Sequence, residues 1–201
     1  GLGDVYKRQV QGDAMVLDLP TLIAEHFAGM PVVVCANLPY YITSPIIMRL
    51  LEGPLPIRSL TVMVQKEAAV RITAAPGTRE CGAISAAVWY YSTPKLLFPV
   101  SRGSFLPAPA VDSAVIRLDL PQELPEDLPP REDFFAVVRA GFGQRRKTML
   151  NSLSAGLRWE KDATRALLTA AGIAENTRAE QVTLEQWKAL TRAYFSMKKS
   201  R

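Results

Sequence analysis

Four consecutive residues, Asn37, Leu38, Pro39 and Tyr40, close an apolar run that begins at Val32 (VVVCANLPY). Their types suit recognition of an aromatic amine. The Asn37 side-chain oxygen and the Leu38 main-chain carbonyl can both accept hydrogen bonds from one exocyclic NH₂ group. Pro39 stiffens the turn between them, and Tyr40 offers a flat face on which a base can stack. The same four residues also fit an ordinary tight turn in which Tyr40 packs. Downstream, Phe105 opens the pattern Phe-x-Pro-x-Pro-x-Val-x-Ser through Pro107, Pro109, Val111 and Ser113. It is either a ring on a loop stiffened by two prolines or a core phenylalanine ahead of a strand. Cations gather at Arg145, Arg146 and Lys147 (GQRRKT), with Arg139, Lys161 and Arg165 near in sequence and Arg71 after VQKE. Such a run is ordinarily a solvated face, and becomes a phosphate-contacting surface beside a site that handles nucleic acid. The sole histidine, His26, accompanies two cysteines, Cys35 and Cys81, with no Cys-x-x-Cys spacing. That disfavours a zinc site, a disulfide framework and a cysteine protease, and suits a reducing cytosol.

The elements that must position these residues have a regular order. MPVVVCA (30–36) and SLTVMVQ (59–65) are apolar runs without clean alternation, which suits parallel strands covered on both faces. SPIIMRLLEG and KEAAVRITAA have helical period, and Ser44 with Pro45 reads as a cap and first helical residue. PKLLFPV and DSAVIRLDL read as a closing antiparallel edge pair. The pattern is α/β, doubly wound. PQELPEDLPP (121–130) is proline-rich and acidic and reads as a linker. Beyond it the period is helical throughout, with a capping box at Thr183 and Gln186. The expected organisation is therefore residues 10–120 as an α/β domain, 121–130 as a linker and 131–201 as an all-α domain. The closing MKKSR reads as a frayed end.

Bulk properties agree with a folded protein that does not span a bilayer. At 201 residues, with 48% hydrophobic residues and 15 prolines, the chain can bury a core, and no apolar run approaches membrane-spanning length. The net charge of +5 favours a polyanionic partner where the cations cluster. Gly1 to Gln9 has no strand or helix period and reads as a junction or sequencing artefact. Gly1-Leu2-Gly3 lacks the preceding strand and following helix that a phosphate-binding glycine loop needs.

The Asn37–Tyr40 turn resembles the Asn-(Leu/Pro)-Pro-Tyr motif of adenine-N6 methyltransferases. The run from Val10 to about Met197 is similar to the bacterial 16S rRNA adenine-N6,N6-dimethyltransferase family. Five stretches carry the resemblance in order: QGDAM, NLPYYITSP, VQKEAAVR, FLPAPAVDSAVIRL and FGQRRKTMLNSL. It implies a Rossmann-like S-adenosylmethionine (SAM)-dependent methyltransferase fold followed by a small helical RNA-binding domain. It also implies SAM as cofactor, no metal, and 16S rRNA in the small ribosomal subunit as partner, for a cytoplasmic monomer that processes ribosomal RNA. On the same ground Asp13 and Asn37 lie along the cofactor. Asn37, Leu38, Pro39, Tyr40 and Phe105 surround the target adenine, with the Phe105 ring opposite Tyr40. Arg71, Arg145, Arg146 and Lys147 contact RNA. Asp13 has a plain alternative as a strand-end or capping residue.

The chain also departs from that family. The RNA-contacting N-terminal segment, the first strand with its SAM-cradling glycine loop and the acidic ribose ligand have no counterpart in it, so it is expected to be an N-terminally truncated and inactive piece. Two other readings remain. A DNA adenine methyltransferase shares Asn-x-Pro-Tyr but is not expected to carry FLPAPAVDS ahead of a basic helical domain. A non-catalytic RNA-binding or assembly factor of the same fold need not retain the amine acceptors at Asn37 and Leu38.

Overall fold

The structure, a computed structural model, describes residues 9–27, 29–123, 125–144 and 146–199. Gly1 to Arg8, on which the artefact and glycine-loop readings chiefly rest, lie outside them. The described residues begin with helix α1 (Leu19–Phe27), whose entry is capped by Asp18. The Thr21 N–H and hydroxyl donate to the Asp18 carboxylate at 3.2 and 2.8 Å, and these bonds hold that carboxyl below the usual range. Strand β1 (Val32–Asn37), helix α2 (Thr43–Glu52), strand β2 (Ile57–Gln65) and helix α3 (Lys66–Thr73) follow. Next come helix α4 (Ala83–Tyr91) and strands β3 (Thr93–Val100) and β4 (Ser113–Asp119). Four helices close the chain: α5 (Arg131–Phe142), α6 (Met149–Leu157), α7 (Lys161–Ala170) and α8 (Leu184–Lys199).

The strands form one mixed sheet in the order β1-β2-β4-β3. β1 runs parallel to β2, while β4 runs antiparallel to both β2 and β3. The antiparallel pair is therefore present, but β4 lies inside the sheet and β3 is the edge. β4 has Ala114, Ile116 and Leu118 buried against the core. β3 leaves Leu96, Leu97 and Phe98 exposed, and carries prolines at 94 and 99 as edge strands can.

Two other expectations are corrected. β1 is not covered on both faces: its burial alternates although its polarity does not, and among the described residues it pairs with β2 alone. Val32 is buried, whereas Val33 is 65% exposed and Cys35 is exposed. Nor does Ser44 cap α2. That helix begins at Thr43, whose hydroxyl donates to the Pro39 carbonyl at 3.0 Å, so Pro45 is its third residue and no side chain caps it.

Helix α4 escapes periodicity because it has no polar face. AISAAVWYY packs against α2, α3, β3 and α5, so apolar residues are needed all round. Its terminal rings join the two halves of the chain. Tyr90 lies 4.6 Å from Phe134 between centroids, Tyr91 lies 5.7 Å from Phe135, and the Tyr90 hydroxyl donates to the Pro129 carbonyl at 2.9 Å. One hydrophobic cluster runs from Val32 through these rings to Leu190.

Between β4 and α5, residues 121–130 carry no strand or helix among those described. The closing helices pack around Trp187, which is fully buried and stacks on Phe142 at 5.6 Å. The Thr183–Gln186 capping box is present, with the Thr183 N–H donating to Gln186 Oε1 at 3.0 Å and the Gln186 N–H to Thr183 Oγ1 at 3.3 Å. The expected fraying of MKKSR is overturned as far as Lys199. α8 continues to Lys199, where Lys198 Nζ pairs with the buried Asp133 carboxylate at 3.0 Å and Lys199 Nζ sits 4.1 Å from the Phe195 ring centroid.

Candidate active site at the Asn37–Tyr40 turn

Strand register brings three loops to one edge of the sheet. Asn37 ends β1 opposite Met63, and Gln65 ends β2 opposite Ser113, the first residue of β4. Val100, the last residue of β3, is also opposite Ser113. The Asn37–Tyr40 turn, the β2–α3 junction and the loop carrying Phe105 therefore leave the sheet from the same edge. In an open α/β sheet that edge, at the carboxyl ends of the parallel strands, is where ligands bind.

Within the turn the backbone is well anchored. The Leu38 N–H donates to the Met63 carbonyl at 3.2 Å and the Leu38 side chain is buried, so the chain direction after β1 is set by β2 and the core. Pro39 precedes a short 3₁₀ turn (Tyr40–Ile42) and accepts from the Ile42 N–H at 3.2 Å as well as from Thr43. Asn37 is exposed, and its side chain makes no hydrogen bond to another described residue. The Tyr40 ring is half-buried, and its hydroxyl lies 2.7 Å from the Ser113 hydroxyl, 73 positions along the chain.

Asp13, Asn37, Leu38 and Pro39 line one cleft of about 780 Å³, together with Tyr41. Asp13 begins a tight turn: its carbonyl accepts from the Val16 and Leu17 N–H groups at 2.9 Å, and its Oδ1 accepts from the Met15 N–H at 2.7 Å. The capping alternative is therefore present in part. The second carboxylate oxygen takes no hydrogen bond from another described residue. Arg49 of α2 holds this turn in place by donating to the Ala14 and Leu17 carbonyls. Neither Arg49 nor Tyr41, which is 85% exposed beside Asn37, stands out in the sequence. An arginine in an amphipathic helix and the second of two tyrosines carry no local mark of such a position.

The other expected residues lie elsewhere. Phe105 is half-buried and follows a 3₁₀ turn (Arg102–Ser104), with its N–H donating to the Arg102 carbonyl at 3.3 Å. Asp112 closes the base of that loop: its Oδ1 accepts from the Arg102 N–H at 3.0 Å, and its carbonyl accepts from the Lys66 N–H at 3.0 Å. Arg71, in the last turn of α3, lines a separate cleft of about 350 Å³ whose charged lining also includes Arg79, Glu67, Glu80 and Glu180. Cys81 borders the same cleft, and burial pushes its thiol up.

Arg146 and Lys147 are exposed in the turn between α5 and α6, ahead of the helix rather than in it, because the Lys147 N–H closes a turn on the Gln144 carbonyl at 2.9 Å. Arg145 lies outside the described residues. Arg165, one of the neighbouring cations, is engaged with Glu175 at 2.7 Å and Asp162 at 2.6 Å, bonds that raise its pKa. No group of three or more His, Cys, Asp or Glu residues that could hold a metal occurs among the described residues, and no described helix is long and apolar enough to cross a membrane.

Comparison with solved structures defines the class. The chain is similar to a dimethyladenosine transferase from Plasmodium falciparum, with TM-score 0.66 and 22% identity over 82% of this chain and 66% of that one. It is also similar to the 23S rRNA methyltransferase ErmE, with TM-score 0.63 and 26% identity over 92% of this chain and 70% of that one. The fold is the Rossmann-like methyltransferase fold.

A family model described as ribosomal RNA adenine dimethylase matches residues 5–195. The ribosomal RNA small subunit methyltransferase A of Alkaliphilus oremlandii (strain OhILAs) is 50% identical over 183 residues, covering 90% of this chain and 63% of that protein. The protein of the same name from Alkaliphilus metalliredigens (strain QYMF) is 48% identical over 185 residues, covering 91% of this chain and 64% of that protein. The chain belongs to the ribosomal RNA adenine dimethylase family. It spans less than two thirds of the length of these two relatives.

Proposed function

We propose that the chain carries the target-base site of a SAM-dependent enzyme that dimethylates adenine N6 in small-subunit 16S rRNA, in the cytoplasm and as a monomer. The observation that carries this reading is the exposed Asn37 amide, which bonds to no other described residue, beside the Leu38 backbone anchored through its N–H to β2, at the carboxyl end of a parallel strand. The names of the relatives point to the same substrate class. In this reading residues 10–120 belong to the catalytic domain, 121–130 link it to the helical domain, and 131–201 bind RNA.

The cofactor's adenine side fits the residues present, since Asp13 keeps one carboxylate oxygen that takes no hydrogen bond from another described residue and shares a cleft with Asn37. When bound, SAM supplies an electrophilic methyl group. The adenine amine is a poor nucleophile because its lone pair is delocalised into the ring. Acceptance of its N–H bonds by the Asn37 oxygen and the Leu38 carbonyl favours a pyramidal nitrogen, localises the lone pair and holds it in line. Tyr40 and Phe105 stack on the extruded base, and Arg71, Arg145, Arg146 and Lys147 contact RNA phosphates. Positioning is the main contribution, so neither a metal nor a covalent intermediate is needed.

The intact gene product, incubated with small-subunit particles and labelled SAM, is expected to yield N6,N6-dimethyladenosine on nuclease digestion. Label on another base, or none while the particles are bound, would overturn the assignment.

A further inference from the structure

Ser113 closes the Phe-x-Pro-x-Pro-x-Val-x-Ser pattern, and the proposed chemistry gives it no task. It is fully buried, at the start of the interior strand β4, with Gln65 of β2 on one side and Val100 of β3 on the other. Its hydroxyl lies 2.7 Å from that of Tyr40. The residue before it, Asp112, ties down both ends of the Phe105 loop through the Arg102 and Lys66 N–H groups. Two adjacent residues thus hold the two segments that carry the aromatic rings, one by a side-chain bond to Tyr40 and the other by closing the loop of Phe105. Ser113 is flanked by paired strands and cannot follow a moving Tyr40. A half-buried ring tethered to it keeps one orientation, whereas an untethered ring samples several rotamers.

We propose that Ser113 is a positioning residue for the target base. Its hydroxyl fixes the Tyr40 ring relative to the Phe105 loop and so sets the aperture into which an adenine slides. This rests on the target-base reading of Tyr40 and Phe105, and it predicts an effect on the bound state rather than on RNA capture. RNA affinity comes mostly from cations facing phosphates, a role Ser113 does not have, while turnover depends on the amine being held in line.

The test is a double-mutant cycle in the intact gene product, with kcat and KM measured for small-subunit RNA and SAM saturating. Ser113→Ala and Tyr40→Phe are each expected to lower kcat about fivefold, the size of one missing hydrogen bond, with KM for RNA changed less than about twofold. The double variant is expected to be no slower than either single one, because both remove the same bond. Wild-type kcat in Ser113→Ala, or losses that multiply in the double variant, would overturn the role of Ser113 and leave the methyltransferase reading standing. If Ser113→Ala does not fold, Tyr40→Phe decides alone, since full turnover without the phenol hydroxyl also overturns the proposal. Absence of adenine methylation by the wild-type protein is a distinct failure, which removes the target-base reading and this role with it.

Discussion

Asn37 combines two properties that rarely meet at a strand end: the backbone on both sides is fixed by pairing with β2 and by the buried Leu38, yet the side chain is exposed and engages no described neighbour. A polar side chain held without a partner contributes little to folding, so its replacement tests function cleanly. Asn37→Ala in the intact gene product is expected to cost about 2–4 kcal/mol in the methyl-transfer barrier, a drop in kcat of roughly 30- to 900-fold, with RNA affinity nearly unchanged. Gel-shift titration beside the rate assay separates the outcomes. Loss of RNA binding in proportion to activity would make Asn37 a structural residue.

At the scale of elements, the helical half depends on close approach. A Cβ on Gly156 of α6 would lie 2.6 Å from the Ala140 Cβ and 2.7 Å from its Cα in α5. The obstruction includes backbone, so the two helices would have to move apart. Gly156→Ala gains about 1 kcal/mol of helix propensity but is expected to lose more through overpacking, for a net destabilisation of about 1–2 kcal/mol. Urea unfolding followed by far-UV circular dichroism reads this directly: the midpoint falls if the crossing is as tight as described, and a risen midpoint would show that the pair has room. The Gly141 neighbourhood, where a Cβ would meet Trp187 at 2.5 Å, is tight for the same reason, though a side chain rather than backbone blocks it there.

At the scale of the whole molecule, charge and exposed surface are the readable quantities. Replacing Arg146 and Lys147 by Glu in the intact gene product is expected to weaken binding to small-subunit particles. It should also flatten the salt dependence by about 0.7–0.9 log units for each phosphate that is no longer neutralised. An unchanged slope returns the pair to an ordinary solvated face. The 201-residue chain, in turn, presents Asp13 and Asn37 on an open cleft beside an exposed strand face. We expect no saturable SAM binding by calorimetry, together with concentration-dependent association through β1, because among the described residues β1 pairs with β2 alone and an unpaired strand edge with apolar neighbours attracts other chains. Micromolar SAM binding by a monomeric chain in the same cell would contradict both expectations.

Local structure was legible in the amino-acid order because it depends on neighbours in the chain. The Asn-Leu-Pro-Tyr turn, the strands on either side of α2, the antiparallel pair and the Thr183–Gln186 cap all follow from periodicity, turn residues and donor–acceptor spacing within a few positions. The insertion of β4 between β2 and β3, the burial of α4 on every side, the exposed face of β1 and the engagement of Arg165 were decided by packing between distant segments. So were the hold of Arg49 on the Asp13 turn and the bond from Tyr40 to Ser113, partners 35 or fewer and 73 positions apart. A hydrophobic pattern states that a face must be covered but not by which element, and a polar side chain states that it can bond but not to whom. Those choices are made only when the sheet order and the helix layer bring remote residues within reach.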